Sequence, residues 1–261
     1  MSASQPTTAL ERVSISEFIS LTLLIAKREL VAYFDSSIAY VYTIAFVVLT
    51  NSIFMNEFFL TGTVDMTGFF DLLPFLLAFF LPAITMRLWA EEKKQRTIEV
   101  LLTLPIRTIQ AVIGKYLAAF VLFALFLLGS IPILVMLFAL GDPDPGLIAS
   151  GYIGVLLFGS LFLALGSFLS ALSSDQIVAF VVSTVLGFAL VLFGNDQFVA
   201  VVDGIAPSLA IGTLLLETIS VMPHFDAFVR GALDLSSVLF FVLFTCLFLW
   251  SASLVLERDR A

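Results

Sequence analysis

Residues 116–140 read YLAAFVLFALFLLGSIPILVMLFAL, an uninterrupted apolar run of 25 residues. A helix needs about 20 residues, at a rise of 1.5 Å each, to cross roughly 30 Å of hydrocarbon. This run is therefore long enough to span a bilayer, and residues 238–256 form a second run of the same kind. The whole chain is 61% hydrophobic and 12% charged, whereas soluble domains are about 25% charged. The sequence predicts an integral membrane protein.

The hydropathy pattern predicts six transmembrane helices in one all-α membrane domain that covers residues 1–261. The predicted spans are 38–55, 72–89, 116–140, 147–172, 177–193 and 238–256. A further apolar stretch, 198–216, contains Asp203, Gly204 and Pro207, which oppose a continuous inserted helix. We predict that it forms a pair of short helices that dip in from the outer face, within a re-entrant segment at 196–236.

The basic residues predict the orientation of these spans. Eleven of the twelve lysines and arginines precede the first span, lie between the second and third, or follow the last, and Arg230 alone lies on the other side. The positive-inside tendency then predicts that both termini lie on the cytoplasmic side of a plasma or inner membrane. No predicted span has a charge near its middle, with Arg87 and Lys115 at or beyond span ends, which disfavours a proton relay. The net charge of −8 disfavours nucleic acid as a partner.

The segment before the first span, 1–36, combines a polar tail with a predicted amphipathic helix. Its apolar residues recur at helical spacing: Ile19, Leu23, Ala26, Leu30 and Phe34. This pattern predicts a helix that lies in the cytoplasmic membrane interface. The alternative is an amphipathic helix that packs on another subunit.

The longest cytoplasmic loop, 90–110, combines a run of charges with a short apolar segment. Residues 91–105 read EEKKQRTIEVLLTLP, in which Thr97 is a candidate N-cap and Pro105 ends a short apolar helix. A helix of this composition can dock in a groove of another protein. The candidate contact residues are Glu91, Glu92, Arg96, Thr97, Glu99, Val100, Leu101 and Leu104. The alternative is a solvated run of charges joined to the third span.

Motifs for nucleotide or metal chemistry are missing from the sequence. Gly114-Lys115 has Ile109 where a phosphate-binding loop needs its first glycine, so it is not a Walker A motif. His224 is the single histidine and Cys246 the single cysteine. We therefore expect no catalytic residue, no cofactor and no metal in this chain, and ATP hydrolysis, if used, must come from another polypeptide.

The loop resembles the coupling region of ABC-2 transporter permeases, where an acidic pair is followed by a Thr-x-Glu-x-Leu-Leu-x-x-Pro pattern. Order and spacing fit over nearly the whole chain and are most similar to the gliding-motility-associated type. Arg96 departs from the pattern, since these permeases usually have glycine before the threonine. The further matching stretches are 32–40, 81–87, 151–154, 175–180 and 228–235.

The resemblance implies a six-helix half-transporter of the type V exporter kind, with an N-terminal elbow helix, a coupling helix and outer re-entrant helices. It implies export, driven by two copies of an ABC ATPase that binds ATP and Mg²⁺, and a second permease subunit, identical or homologous. The candidate pathway residues are Thr43, Thr50, Asn51, Phe79, Ser183 and Thr184. Helix packing and bonds to the helix's own backbone are the alternative for these residues. The rival functions are a secondary carrier or channel, and a membrane anchor that transmits force in a cell-surface machine.

Overall fold

The computed structural model describes residues 15–98, 106–205, 211–218 and 220–258, and within them the chain is helical without strands. We number the helices α1 to α12 in chain order. They are Ile15–Phe34, Ser37–Thr61, Thr67–Thr85, Arg87–Lys94, Thr108–Leu128, Ile131–Leu140, Pro145–Leu172, Gln176–Leu192, Asp196–Ile205, Ile211–Thr218, Met222–Val229 and Leu235–Arg258.

Five helical stretches of the described residues are long and apolar enough to cross a membrane. They are Ala39–Thr61, Thr67–Lys94, Thr108–Leu140, Pro145–Leu172 and Leu235–Arg258. The predicted span at 177–193 corresponds to α8, an apolar helix of 17 residues. The predictions therefore agree with the structure on five long apolar helices, and a sixth crossing stays a prediction.

Helix α7 is the centre of the bundle and packs against α3, α4, α5, α8, α11 and α12. Asp144 caps its N-terminus by accepting a hydrogen bond from Gly146 N at 2.7 Å. Glycines on α7 let large rings approach its backbone. A Cβ at Gly159 would lie 2.1 Å from Phe123, and one at Gly151 would lie 2.3 Å from Phe70. These contacts bury the Phe rings of α3 and α5 against α7.

The third predicted span needs a correction at both its start and its middle. The helix begins at Thr108, so Lys115 lies about two turns inside it and not at its end. The run then breaks at Gly129 and Ser130 before α6. Asn51 Nδ2 donates to the Gly129 carbonyl at 3.0 Å, and Ser130 Oγ lies 2.5 Å from Tyr152 Oη. These side chains bond polar groups at the break, which hydropathy alone does not predict.

Helix α1 packs one edge on α5 and leaves an apolar side uncovered. A Cβ at Gly114 of α5 would lie 2.8 Å from Ile25, so glycine permits this close approach. On the uncovered side, Ile19 is 51% exposed, Leu23 56% and Phe34 42%. The predicted helix is therefore present. Its uncovered apolar side suits contact with a membrane, but its location in the membrane interface stays a prediction.

Three short helices precede α12. The apolar stretch 198–216 holds the two helices α9 and α10, as a pair of short helices predicts. Asp203 joins them, since Oδ2 accepts from Thr213 Oγ1 at 2.6 Å and Oδ1 accepts from Gly212 N at 2.5 Å. The third helix, α11, packs on α7, where Ser150 Oγ donates to the Phe228 carbonyl at 2.8 Å. Their depth in a membrane stays a prediction.

Candidate functional site

Helix α4 continues α3 toward the predicted coupling segment and is fixed to α7. Ser170 Oγ of α7 accepts hydrogen bonds from the backbone N–H groups of Trp89 and Ala90, each at 3.1 Å. It also lies 3.1 Å from the Met86 carbonyl, to which it donates. The Trp89 Nε1–H donates to Ser167 Oγ at 3.1 Å. One serine therefore bonds both the residue between α3 and α4 and the backbone of α4.

A buried charge cluster, formed by Glu29, Glu92 and Lys115, joins α4 to α1 and α5. The Lys115 side chain is 3% exposed, and its Nζ lies 2.7 Å from Glu92 Oε1 and 3.6 Å from Glu29 Oε1. The same Nζ donates to the Leu88 carbonyl at 2.8 Å and lies 4.8 Å from the centre of the Trp89 ring. A buried ammonium needs such compensation because taking a charge out of water costs several kcal/mol.

The charge cluster holds more negative than positive charge at its centre. Glu29 is also 3.0 Å from Arg28, which is itself largely exposed. Glu92 Oε2 is buried and has no hydrogen-bond partner among the described residues. A single ammonium thus serves two carboxylates on different helices, and the arrangement depends on Lys115.

The far end of α4 lies against the start of α8. Lys94 Nζ is 3.4 Å from Asp175 Oδ2, and Lys93 Nζ donates to the Ala171 carbonyl. Asp175 is the N-cap of α8 and accepts from Ile177 N at 2.8 Å. Its bonds to the N–H groups of Ile177 and Val178, together with Lys94, hold the pKa of the Asp175 carboxyl below its usual value. The charged carboxyl thus caps α8, and its solvent-exposed contact with Lys94 brings the end of α4 next to that cap.

Arg87, at the start of α4, faces the end of α1. Arg87 Nε lies 2.8 Å from Glu91 Oε2, and its Nη1 donates to Ser36 Oγ at 3.0 Å. Tyr33 Oη donates to the Ile84 carbonyl at 3.0 Å. Burial raises the pKa of the Tyr33 phenol, so the hydroxyl remains a donor. The end of α1 is therefore bonded to α3 through Tyr33, and Arg87 bonds Ser36, the N-cap of α2.

Of the predicted partner contacts, four are described. Glu91 and Glu92 carry intramolecular ion pairs, with Arg87 and Lys115 respectively. Arg96 has a φ of +58°, the left-handed conformation that glycine adopts without strain. The structure thus explains why glycine suits this position, and it places the turn at the end of α4. Thr97 follows in helical conformation, with Oγ1 donating to the Glu92 carbonyl at 3.4 Å.

The remaining predicted contacts, Glu99, Val100, Leu101 and Leu104, lie outside the described residues. Glu29 and Lys115 of the charge cluster are not among the residues predicted from the sequence. Lys115 could have been found, because it precedes an apolar run in the same helix and a charge there is costly unless it is paired.

The predicted pathway residues do not converge on one surface. On α2, Thr43 Oγ1 donates to the Ala39 carbonyl at 2.7 Å and Thr50 Oγ1 to the Phe46 carbonyl at 2.6 Å. Asn51 faces the break after α5. These three contacts match the alternative of helix packing and backbone bonding.

The other predicted pathway residues lie where α3 meets α8. Phe79 of α3 is 43% exposed, and its ring centre is 5.5 Å from that of Phe180 on α8. Phe75, one turn from Phe79, is 38% exposed. Ser183 Oγ and Thr184 Oγ1 are buried without hydrogen-bond partners among the described residues. The α3–α8 side thus exposes two aromatic rings, whereas the two unsatisfied hydroxyls are buried.

Comparison with protein families decides the assignment. A family model described as "ABC-2 family transporter protein" matches residues 43–256. The chain belongs to the ABC-2 transporter family. No curated protein matches it significantly. The family match agrees with the ABC-2 resemblance and does not support the narrower gliding-motility type.

Membership makes this ABC-2 chain a membrane component of an ABC transporter, a class that associates with an ABC ATPase and the bilayer. The match begins inside α2 and so does not include α1. It does include α4 and two members of the charge cluster, Glu92 and Lys115. Within the described residues, no group of three or more His, Cys, Asp or Glu side chains could hold a metal ion.

Proposed function

We propose that this chain is the permease subunit of an ABC transporter, forms half of an export pathway, and couples to a separate ATPase through the segment after α4. The observation that carries the proposal is the buried charge cluster. It ties α4, which leads into that segment, to both α1 and α5. Movement at the coupling segment would therefore act through α4 on the helices that α4 contacts directly, which are α1, α5, α7 and α8.

The proposed topology has six spans, with α8 as the fifth. Its 17 residues extend about 25 Å, at the short end of the range for a membrane helix. An even number of crossings keeps both termini on one side, and the basic residues place that side in the cytoplasm. Helix α1 is the elbow helix at that surface, and α9 and α10 are the outer re-entrant helices.

The proposed working unit contains two permease subunits, identical or homologous, and two ATPase subunits that supply the sites for ATP and Mg²⁺. Closure of the ATPases would displace the coupling segments, and the two membrane halves would rock around a central site. The pathway side would be the surface of α3 and α8 that exposes Phe75 and Phe79, with the buried hydroxyls of Ser183 and Thr184 on α8.

The experiment places a charge in the proposed ATPase contact. In Leu101→Asp, an unpaired carboxylate would enter an apolar interface, and affinity for the ATPase should fall by roughly 100-fold or more. Leu233→Asp is the matched control, since Leu233 is 62% exposed in the loop before α12. Both variants should insert normally, and only Leu101→Asp should lose co-purification and stimulated ATP turnover. Normal association of a well-inserted Leu101→Asp would exclude this segment as the coupling element.

A further inference from the structure

A polar cavity lies between the end of α1 and the junction of α3 with α4. Its volume is about 110 Å³, enough for several water molecules or a small polar headgroup. The side chains that line it are Glu29, Ala32, Tyr33, Arg87, Leu88 and Glu91. All of them belong to the described residues, and both acidic residues are only partly exposed.

A second, smaller space with a more apolar lining lies beside the cavity. This cleft, of about 20 Å³, shares Tyr33 and Arg87 with the cavity and reaches between α2, α3 and α5. Its other lining residues are Ala39, Tyr42, Ala83, Ile84, Leu122 and Phe126. At this size the cleft holds about one water molecule, so the acyl chains of a lipid bound in the cavity would lie along the exposed apolar side of α1.

The groups that line the cavity match a zwitterionic headgroup with a primary amine. Glu29 and Glu91 each retain acceptor capacity, because an ionised carboxylate offers about four lone-pair positions. The Tyr33 oxygen can also accept, since its proton is directed to the Ile84 carbonyl. These three acceptors suit the three N–H donors of an ammonium group, and the Arg87 guanidinium suits a phosphate.

We propose that this cavity binds a phospholipid of the phosphatidylethanolamine class, with its ammonium toward Glu29 and Glu91 and its phosphate toward Arg87. The location agrees, because the exposed apolar side of α1 brings the cavity to the level of the lipid headgroups. A bound lipid would fill the space between α1 and α4 and so stiffen the attachment of the elbow helix to the bundle. The inference rests on the proposed position of α1 at the cytoplasmic surface.

Headgroup selectivity of the unmodified chain is the first test. The purified full chain is incubated with equal amounts of phosphatidylethanolamine, phosphatidylcholine and phosphatidylglycerol that carry the same acyl chains, and bound lipid is counted by native mass spectrometry. The methylated ammonium of phosphatidylcholine cannot donate N–H bonds, and phosphatidylglycerol has no cation for the carboxylates. Retention of phosphatidylethanolamine should exceed that of either by about tenfold. Equal retention of all three overturns the proposal.

A pair of neighbouring variants locates the site. Ala32→Phe adds a ring at the edge of the cavity without changing charge, whereas Val31→Phe adds the same ring at a neighbouring exposed position that does not line the cavity. Ala32→Phe should lower retained phosphatidylethanolamine by about tenfold and Val31→Phe should leave it unchanged. Equal retention by the two variants would place the lipid elsewhere. Neither measurement uses an ATPase, so this site can fail while the transporter proposal stands, and the reverse.

Discussion

Replacing Lys115 with methionine removes the one ammonium that the two carboxylates of the charge cluster share. The substitution keeps an unbranched side chain and abolishes the contacts at 2.7 Å to Glu92, 3.6 Å to Glu29 and 2.8 Å to the Leu88 carbonyl. Removing one partner of a buried pair costs about 3–5 kcal/mol. The carboxylates are 19% and 16% exposed, so water still solvates them in part, and we expect the lower value, about 3 kcal/mol.

Thermal unfolding of the purified chain measures this cost. Trp89 lies beside Lys115, so a Trp250→Phe background makes Trp89 fluorescence a local probe. A loss of 3 kcal/mol corresponds to a lower Tm by about 6–12 °C for a chain of this size. Lys94→Met is the matched control, because Lys94 is 63% exposed and its pairing with Asp175 is screened by solvent. It should change the Tm little.

A double-mutant cycle tests the reasoning itself. Glu92→Gln combined with Lys115→Met removes the charges of both partners. The double variant should therefore lose less free energy of unfolding than the two single variants lose in total, by about 1.5 kcal/mol or more. Additive effects, or equal Tm changes for Lys115→Met and Lys94→Met, would refute the assignment of Lys115 as the shared counter-ion.

Three other changes give direct tests of local geometry. Arg96→Gly relieves the left-handed φ of +58° and should raise the free energy of unfolding by about 1 kcal/mol in chemical denaturation, and no gain would contradict the strained turn. Gly166→Ala would place a Cβ 2.1 Å from Thr85 Oγ1 and should lower stability by about 1–3 kcal/mol, whereas an unchanged Tm would show that this contact is looser. The hydrogen bond from Thr213 Oγ1–H lowers the pKa of the Asp203 carboxyl from its usual 3.8. The ionised carboxylate therefore stabilises α10 fully above pH 3.8, and this stabilisation is lost as pH falls through the lowered pKa. The protection factors of the α10 amides, which correct for the intrinsic exchange rate at each pH, should fall as pH drops through the folded pKa of Asp203 and should fall in Asp203→Ala at neutral pH; unchanged protection factors would contradict this.

The sequence predicts the long helices because apolar runs such as residues 116–140 have few alternatives to a membrane. It does not predict the break at Gly129, where Asn51 on another helix supplies the compensating bond. It also does not predict that the Lys115 ammonium meets Glu29, which is 86 positions earlier in the chain. Both features depend on how separate helices pack, and periodicity within one helix carries no information about that.

The coupling loop also combines a feature that the sequence predicts with one that it does not. Its acidic pair is visible in the sequence and is predicted to contact a partner. In the structure, Glu91 and Glu92 form ion pairs within the chain. Arg96 looked like a departure from a glycine pattern, and its φ shows that the backbone keeps the conformation glycine favours. The glycine of the family pattern therefore indicates this left-handed turn more directly than the arginine at position 96 does.

Site-specific cross-linking tests the central claim, that the segment after α4 docks on an ABC ATPase. A photoreactive phenylalanine at Leu101 should cross-link in intact cells to a protein that carries a Walker A motif. The same residue at Leu233, in the exposed loop before α12, should give no such product. Cross-linking of the ATPase at residue 233 and not at residue 101 would contradict the account.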